Sequence, residues 1–328
     1  MDKNGVCIQM CPKEEVAFRT KEKLVHSLEK TSSGEPGVLV KEYRRSAAGR
    51  ERSDVKQLRT KKALIKTVNY LIDEICNRED VDWPIIYEFV FDRLRAVRQD
   101  LTIQSINDDT TVYVLEKCVR FYLISISKLN RHPLNIFDPK INNKHLQETL
   151  QQLLVLYNSL DKGANHQSSM VEVCGDNSSR SPVNENDHTF KHRDEFESLY
   201  LLFNLGHTES LLHFISLPTH VRSGRWCTKA WKYSLAVLEH NYVRAFRLLH
   251  SLEDLQLYSI HYHLPKMQQN LLQRMNVAYS SKACKFPLAT LCNLIGGKSI
   301  QEMKSLLTSY GLVITEDFVC FNKSTFKI

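Results

Sequence analysis

From Leu64 to Tyr157 the apolar residues recur at helical spacing with little interruption. Leu64, Ile65, Val68, Leu71, Ile72 and Ile75 fall at i, i+1, i+4, i+7, i+8 and i+11, positions that 3.6 residues per turn brings to one face. A second stripe, Ile85, Ile86, Phe89, Val90, Leu94 and Val97, follows Pro84. Proline suits a first helical turn, where its missing N–H costs nothing. Leu115, Val119, Tyr122, Leu123 and Ile126 mark a third helix over about 111–129, and Leu146, Leu150, Leu153, Leu154 and Tyr157 a fourth over about 142–160. A helix with one apolar stripe must bury it against another element. Four in succession, with short links and no credible strand among them, commit this part of the chain to stacked helices. The 11 glycines and 9 prolines in 328 residues agree with that reading.

The pattern lapses in "KGANHQSSMVEVCGDNSSRSPVNENDHT", a polar stretch that cannot bury enough apolar surface to offset its ordering entropy. Residues 162–190 are therefore expected to be a disordered insertion. Helices resume near Lys191, and "GHTESLLHFISL" and "NYVRAFRLLHSL" lie 35 residues apart, matching at Leu211/Phe246, Phe214/Leu249 and Leu217/Leu252. A helix pair recurring at this period resembles a tetratricopeptide unit in size, although the consensus residues are missing. At the C-terminal end, "KFPLATLCNLIG" reads as a short helix. "KSIQEMKSLLTSYG" reads as a second, with Ser299 as N-cap and Gly311 as its stop, and "LVITEDFVCFN" as two short strands about an acidic turn. Helix, helix and hairpin outline a winged helix. The expected fold is all-α dominated: a basic N-terminal strap over 1–60, a TPR-like helical superhelix over 61–283 and a winged helix over 284–328, a PCI-like architecture.

Charge is concentrated in one place. Between Lys41 and Lys66 ten Lys/Arg stand against three acids, a surplus of +7, and the whole chain, with 44 basic and 37 acidic residues, also carries +7. The small residues Ala47, Ala48 and Gly49 inside this segment suggest backbone lying against another surface. The segment is therefore expected to be a strap that packs through Val40 and Tyr43 while Lys41, Arg44, Arg50, Arg52, Lys56 and Arg59 face outward. With Arg45, Lys61 and Lys62 these form a candidate track for RNA phosphates or for an acidic protein partner. Both readings stay open. A localisation signal fits less well, because the charges are interrupted.

No catalytic pattern emerges. There is no phosphate-cradling G-x-x-x-x-G-K-[ST] loop, no G-x-G-x-x-G and no G-x-S-x-G elbow. Cys7 and Cys11 stand four apart without a second pair at zinc spacing. His261 with His263, or His188 with His192, supplies two ligands where a structural site needs four. A metal-dependent enzyme built on His261 and His263 is thus the weaker alternative. No catalytic residue, metal, cofactor or small-molecule substrate is expected. Nine scattered cysteines read as a reduced intracellular chain, with Cys76, Cys118, Cys227 and Cys292 as small core residues. The N-terminus has no apolar core of a secretory signal, and no run of about 18 apolar residues exists to span a membrane.

The densest polar constellation is "FDRLRAVRQDLTIQ". Asp92 and Arg95 stand i, i+3 and can pair on one helix face, whereas Arg98 and Asp100 must reach neighbouring segments. Asp92, Arg95, Arg98 and Asp100 are read as a structural network between helices, with phosphate contact as the alternative. Together with "MCPKEEVAFR", "VKEYRRSAAG", "LRTKKALIKTVNYL", "LYLLFNLG" and "EHNYVRAFRLL", in that order, this string makes the chain resemble the GANP domain (Sac-three/GANP) family over essentially its whole length. Thr60 departs from the family pattern, which places proline after Leu-Arg.

The resemblance implies a TPR-like superhelix capped by a winged helix, the architecture of PCI-domain proteins. It implies a non-enzymatic scaffold in nuclear mRNA export, paired with a PCI-type partner and a small acidic, mostly disordered protein, with winged helices presenting a nucleic-acid surface. The chain is most similar to the small Sac-three-domain branch, which lacks phenylalanine–glycine repeats, a centrin-binding helix and an acetyltransferase region. That branch is linked to centrosome duplication and spindle assembly, the alternative role. The implied location is the nucleus, with the cytoplasm and the centrosome or spindle as further sites.

Overall fold

The computed structural model describes residues 4–31, 33–45, 54–171, 190–281, 283–296 and 299–327, with only the helical backbone considered for 162–171. The chain divides into two compact units, Met1–Phe190 and Lys191–Ile328.

In the first unit α1 (Lys13–Lys21) is followed by single 3-10 turns at Ser27–Glu29 and Val55–Gln57 and then by α2 (Lys61–Asn69). The end of α2 widens into a π-helical turn over Tyr70–Ile75. The long helices α3 (Trp83–Ile103), α4 (Asp109–Leu129) and α5 (Pro139–Val171) follow. Most of the expected stripe residues form the core: Leu64, Val68, Leu71, Ile86, Val90, Leu94, Val97, Leu115, Val119, Tyr122, Leu146, Leu150 and Tyr157 are each fully enclosed, whereas Ile65 and Ile72 are partly buried and Ile85 is exposed. Pro84 sits in the first turn of α3 as its chemistry favours. Thr60, the departure from the family pattern, caps α2, its Oγ1 accepting from Ala63 N at 3.3 Å. It supplies by hydrogen bond the helix start that proline would supply by a fixed φ. Helix α5 runs on to Val171, into the stretch expected to be disordered. The rest of that insertion, 172–189, lies outside the described residues.

The second unit contains α6 (Arg193–Phe203), α7 (Thr208–Ser216), α8 (Thr219–Arg222), α9 (Arg225–Leu238), α10 (Tyr242–Leu248), α11 (Asp254–Ser259) and α12 (Leu264–Ala278). Then come β1 (Phe286–Pro287), α13 (Leu288–Leu294), α14 (Ile300–Ser309), β2 (Val313–Thr315) and β3 (Phe318–Cys320). The two related sequence segments are α7 and α10. Phe214 stacks on Trp231 at 4.9 Å. Gln256 is buried and ties three elements, donating to Ser198 Oγ at 3.1 Å and to the Trp226 carbonyl at 3.0 Å. Ser299 caps α14 by accepting from Gln301 N. Gly311 ends it at φ +75°, with the Thr325 carbonyl where a Cβ would stand.

The expected hairpin is β2–β3, with Ile314 opposite Val319 and Thr315 opposite Phe318. A third strand was not legible in the sequence: β1 pairs antiparallel with β3, giving the order β1-β3-β2. Two residues ending in proline carry no alternation that could announce a strand. Leu288, Leu291, Met303, Leu307, Val319 and Phe321 belong to one apolar cluster with Leu202, Phe214, Phe246 and Leu272. No described helix is long and apolar enough to cross a membrane. Thr60→Ala is expected to lower the unfolding free energy by about 1 kcal/mol, the usual worth of an N-cap, read as a shift in the urea midpoint. An unchanged midpoint would show that the cap does not start α2.

Candidate nucleic-acid or acidic-partner interface

One face of α3 carries Ile86, Val90, Arg93, Val97, Asp100 and then Gln104, at alternating spacings of four and three. This is the buried face, and Arg93, Asp100 and Gln104 are enclosed along with the apolar residues. Charges in that position need partners, because an unpaired buried charge is costly. The strap provides them.

Asp100 is fully enclosed and holds two cations of the strap, Lys41 and Arg59. Its Oδ1 is 2.6 Å from Lys41 Nζ and its Oδ2 is 2.7 Å from Arg59 Nε. Lys41 Nζ also donates to the Gln57 carbonyl at 2.6 Å. Gln104 donates to the Arg59 carbonyl at 3.0 Å and accepts from Gly5 N at 2.7 Å. This brings residues 5–7 alongside 55–60: Cys7 N donates to Leu58 O at 3.0 Å and Thr60 N to Cys7 O at 2.9 Å. Any side chain at Gly5 would meet the Leu58 carbonyl at 2.5 Å.

A second network centres on Arg19 and Arg93. Arg19 pairs with Glu29, reaches Glu42 at 3.1 Å and donates to the Val40 carbonyl at 3.1 Å. Arg93 meets Glu42 at 3.0 Å, Glu29 at 3.5 Å and Asp92 at 2.5 Å. Between these groups four consecutive backbone amides are satisfied in turn. Val40 N donates to Glu29 Oε1, Lys41 N to the Met10 carbonyl, Glu42 N to Glu15 Oε1 and Tyr43 N to Asp92 Oδ2, at 2.8–3.1 Å.

The basic residues therefore divide. Lys41 and Arg59, expected to face outward, are buried on Asp100; a lone carboxylate on the buried face of α3 draws them in. Arg44, Arg45, Lys56, Lys61 and Lys62 are exposed. Arg44 stands 3.5 Å from Glu15 Oε2, and Lys61 pairs with Asp108. Arg50 and Arg52, with Ala47, Ala48 and Gly49, lie outside the described residues.

Of the expected network, Asp100 reaches a neighbouring segment and Asp92 binds the strap amide. The i, i+3 pair of Asp92 with Arg95 gives way to other partners. Asp92 takes Arg93 and Tyr43 N, while the Arg95 guanidinium lies over the Tyr43 ring, 3.9 Å from its centre. Arg98 lies half-buried beside Tyr122 and His145. Burial, then Arg98 and Arg95, holds the His145 imidazole down to about 4, so it is neutral near pH 7. His263 binds the Phe203 carbonyl at 2.9 Å, and no cluster of three metal-ligating side chains occurs among the described residues. Burial pushes the Cys11 and Cys118 thiols up to about 12, as suits core cysteines.

Along α2, Lys62, Lys66 and Tyr70 follow each other at i, i+4 and i+8. With Met10, Ile65 and Asn69 they line an open groove of about 460 Å³, whose far end carries Asp73 and Glu74. Lysines in a first helical turn face the positive end of the helix dipole, a local cost of a few tenths of a kcal/mol up to about 1. Lys61 recovers some of it through Asp108. Asp100→Ala strands two buried cations and is expected to cost about 3–5 kcal/mol, whereas exposed Arg44→Ala is expected to cost well under about 1 kcal/mol. Urea unfolding of both variants measures this, and equal losses would contradict the clamp.

Comparison with known proteins matches residues 10–316 to the SAC3/GANP family. Protein xmas of Drosophila melanogaster is 28% identical over 95% of this chain, and the match spans 15% of that protein. SAC3 family protein 1 of Schizosaccharomyces pombe is 24% identical over 95% of this chain and 30% of its own length. SAC3 family protein B of Arabidopsis thaliana is 23% identical over 94% of this chain and 18% of its own length. The chain thus spans less than a third of these relatives. A match running from Met10 at the head of the strap to Glu316 in the β2–β3 turn covers both compact units, and the chain belongs to the SAC3/GANP family.

Proposed function

We propose that this chain is a non-enzymatic scaffold of nuclear mRNA export that docks a PCI-type protein and contacts RNA. Family membership and the helix-dominated fold support the scaffold reading. The sequence α13, α14, β2, β3, closed by β1, supports reading the C-terminal elements as a winged helix. The α6/α7 and α9/α10 pairs support a TPR-like stack before it. On this reading the winged helix meets its counterpart on the PCI-type partner, and a small acidic, mostly disordered protein completes the assembly.

The observation that carries RNA contact is the ladder of Lys62, Lys66 and Tyr70 along the α2 groove. Lysines four apart present phosphate-binding charges on one helix face, and an adjacent aromatic ring offers a stacking surface for an unpaired base. Arg44, Arg45 and Lys56 add exposed positive charge beyond it. Buried Lys41 and Arg59 have no part in this surface, so their substitution reports on folding.

Fluorescence anisotropy of a labelled single-stranded RNA over a range of salt concentrations tests the proposal. Affinity is expected to fall steeply with salt. Lys62→Gln with Lys66→Gln is expected to shrink the slope of log K against log salt by about 1.4, roughly 0.7 for each single-strand phosphate that is no longer neutralised. An unchanged slope and affinity would overturn RNA contact at α2 and leave an acidic protein surface as the ligand of these lysines.

A further inference from the structure

Arg19, Arg59 and Arg93 each spend their guanidinium on carboxylates. Arg95 and Arg98 do not: among the described residues neither has a carboxylate within ion-pair distance. Both project from the face of α3 that follows Phe91, and they line an open pocket of about 290 Å³ together with Tyr43, Gln99, His145 and Glu148. Arg98 Nε is buried without a hydrogen-bond partner. His145 Nδ1 is likewise unpartnered, standing 3.5 Å from Glu148 Oε2 without hydrogen-bonding it. Glu148, the one carboxylate in the lining, is half-exposed and turned toward Lys144 and His145.

We propose that this pocket is a binding site for a phosphate group. Two guanidiniums converging on one cavity offer planar forks of N–H donors, the geometry that matches phosphate oxygens in pairs. The Arg95 fork is held in place by its stack on Tyr43, so less side-chain freedom is lost when it binds. Gln99 is fixed at the rim by its bond to the Arg44 carbonyl at 2.9 Å. Arg98 Nε and His145 Nδ1 are buried polar atoms beside the cavity that have no hydrogen-bond partner. The lining carries two positive charges against one negative, which selects an anion over a cation, and its size lies at the lower end for ligand sites. The phosphate can come from a free phosphate-bearing small molecule or from the backbone of a nucleic acid. The site does not depend on the α2 lysines.

Titration of the full chain with inorganic phosphate, against chloride at equal ionic strength, tests this by NMR with the His145 imidazole resonances as the local reporter. A saturable shift of His145 with phosphate and none with chloride is expected. Arg95→Gln combined with Arg98→Gln is expected to weaken phosphate binding at least about tenfold, the worth of a charge-assisted hydrogen bond. Glu148→Gln, a change at a half-exposed side chain, is expected to tighten it several-fold, an outcome that misfolding cannot imitate. A His145 resonance that ignores phosphate, or variants that bind it as the unaltered chain does, would overturn the proposal. A single-stranded RNA displaced by inorganic phosphate identifies the phosphodiester as the source, and a small phosphate-bearing ligand is indicated where the RNA is not displaced. Failure of the RNA reading is separate: it appears as absent RNA binding while phosphate still moves His145.

Discussion

The carboxylate of Asp100, enclosed in protein and shared between Lys41 and Arg59, is the interaction on which the first unit depends. A charge in that position is tolerable only when its partners are delivered with good geometry. Lys41 and Arg59, 18 positions apart in the sequence, meet on it. The N-terminal residues are then fixed in turn, because Gln104 and Leu58 receive Gly5 and Cys7 only if Arg59 is already seated. Glu29, Glu15 and Asp92 continue the arrangement by accepting strap amides. In the extended run Val40–Tyr43, three of four backbone amides are met by carboxylate side chains and the fourth by the Met10 carbonyl.

The stacked helices were legible because burial and periodicity carry the same information in a helix. Leu64, Val68 and Leu71 had one face to occupy and occupy it. The direction of the strap cations was not legible. In an extended segment side chains alternate, and which of Lys41, Arg44 or Lys56 turns inward depends on where a distant carboxylate lies. The signal that existed was on α3: Arg93, Asp100 and Gln104 continue the apolar spacing of Ile86, Val90 and Val97, and polar residues in a buried stripe imply partners from elsewhere. The short strand β1 left no trace, since two residues cannot show alternation. Its pairing is decided by β3, more than thirty residues later.

Splitting the basic segment changes what its charge can be used for. Part of the surplus that dominates the composition, Lys41 and Arg59, is internal and paired with the single carboxylate of Asp100. Among the described residues of the segment, Arg44, Arg45, Lys56, Lys61, Lys62 and Lys66 are exposed; the Arg95–Arg98 pocket on α3 is separate from them. Cations thus stand at several distinct places on helices of the first unit. On the proposed reading, the outward cations would set binding and its salt dependence, and the inward ones the stability of the surface that carries them.

Hydrogen exchange of the peptide spanning Val38 to Arg45 reads the clamped strap at its centre. The amides of Val40, Lys41, Glu42 and Tyr43 are expected to be protected to a degree comparable with the middle of α3, since each has its own acceptor within the unit. Exchange at the rate of an unstructured chain, with α3 still protected, would contradict a strap held down by Asp100 and its neighbouring carboxylates.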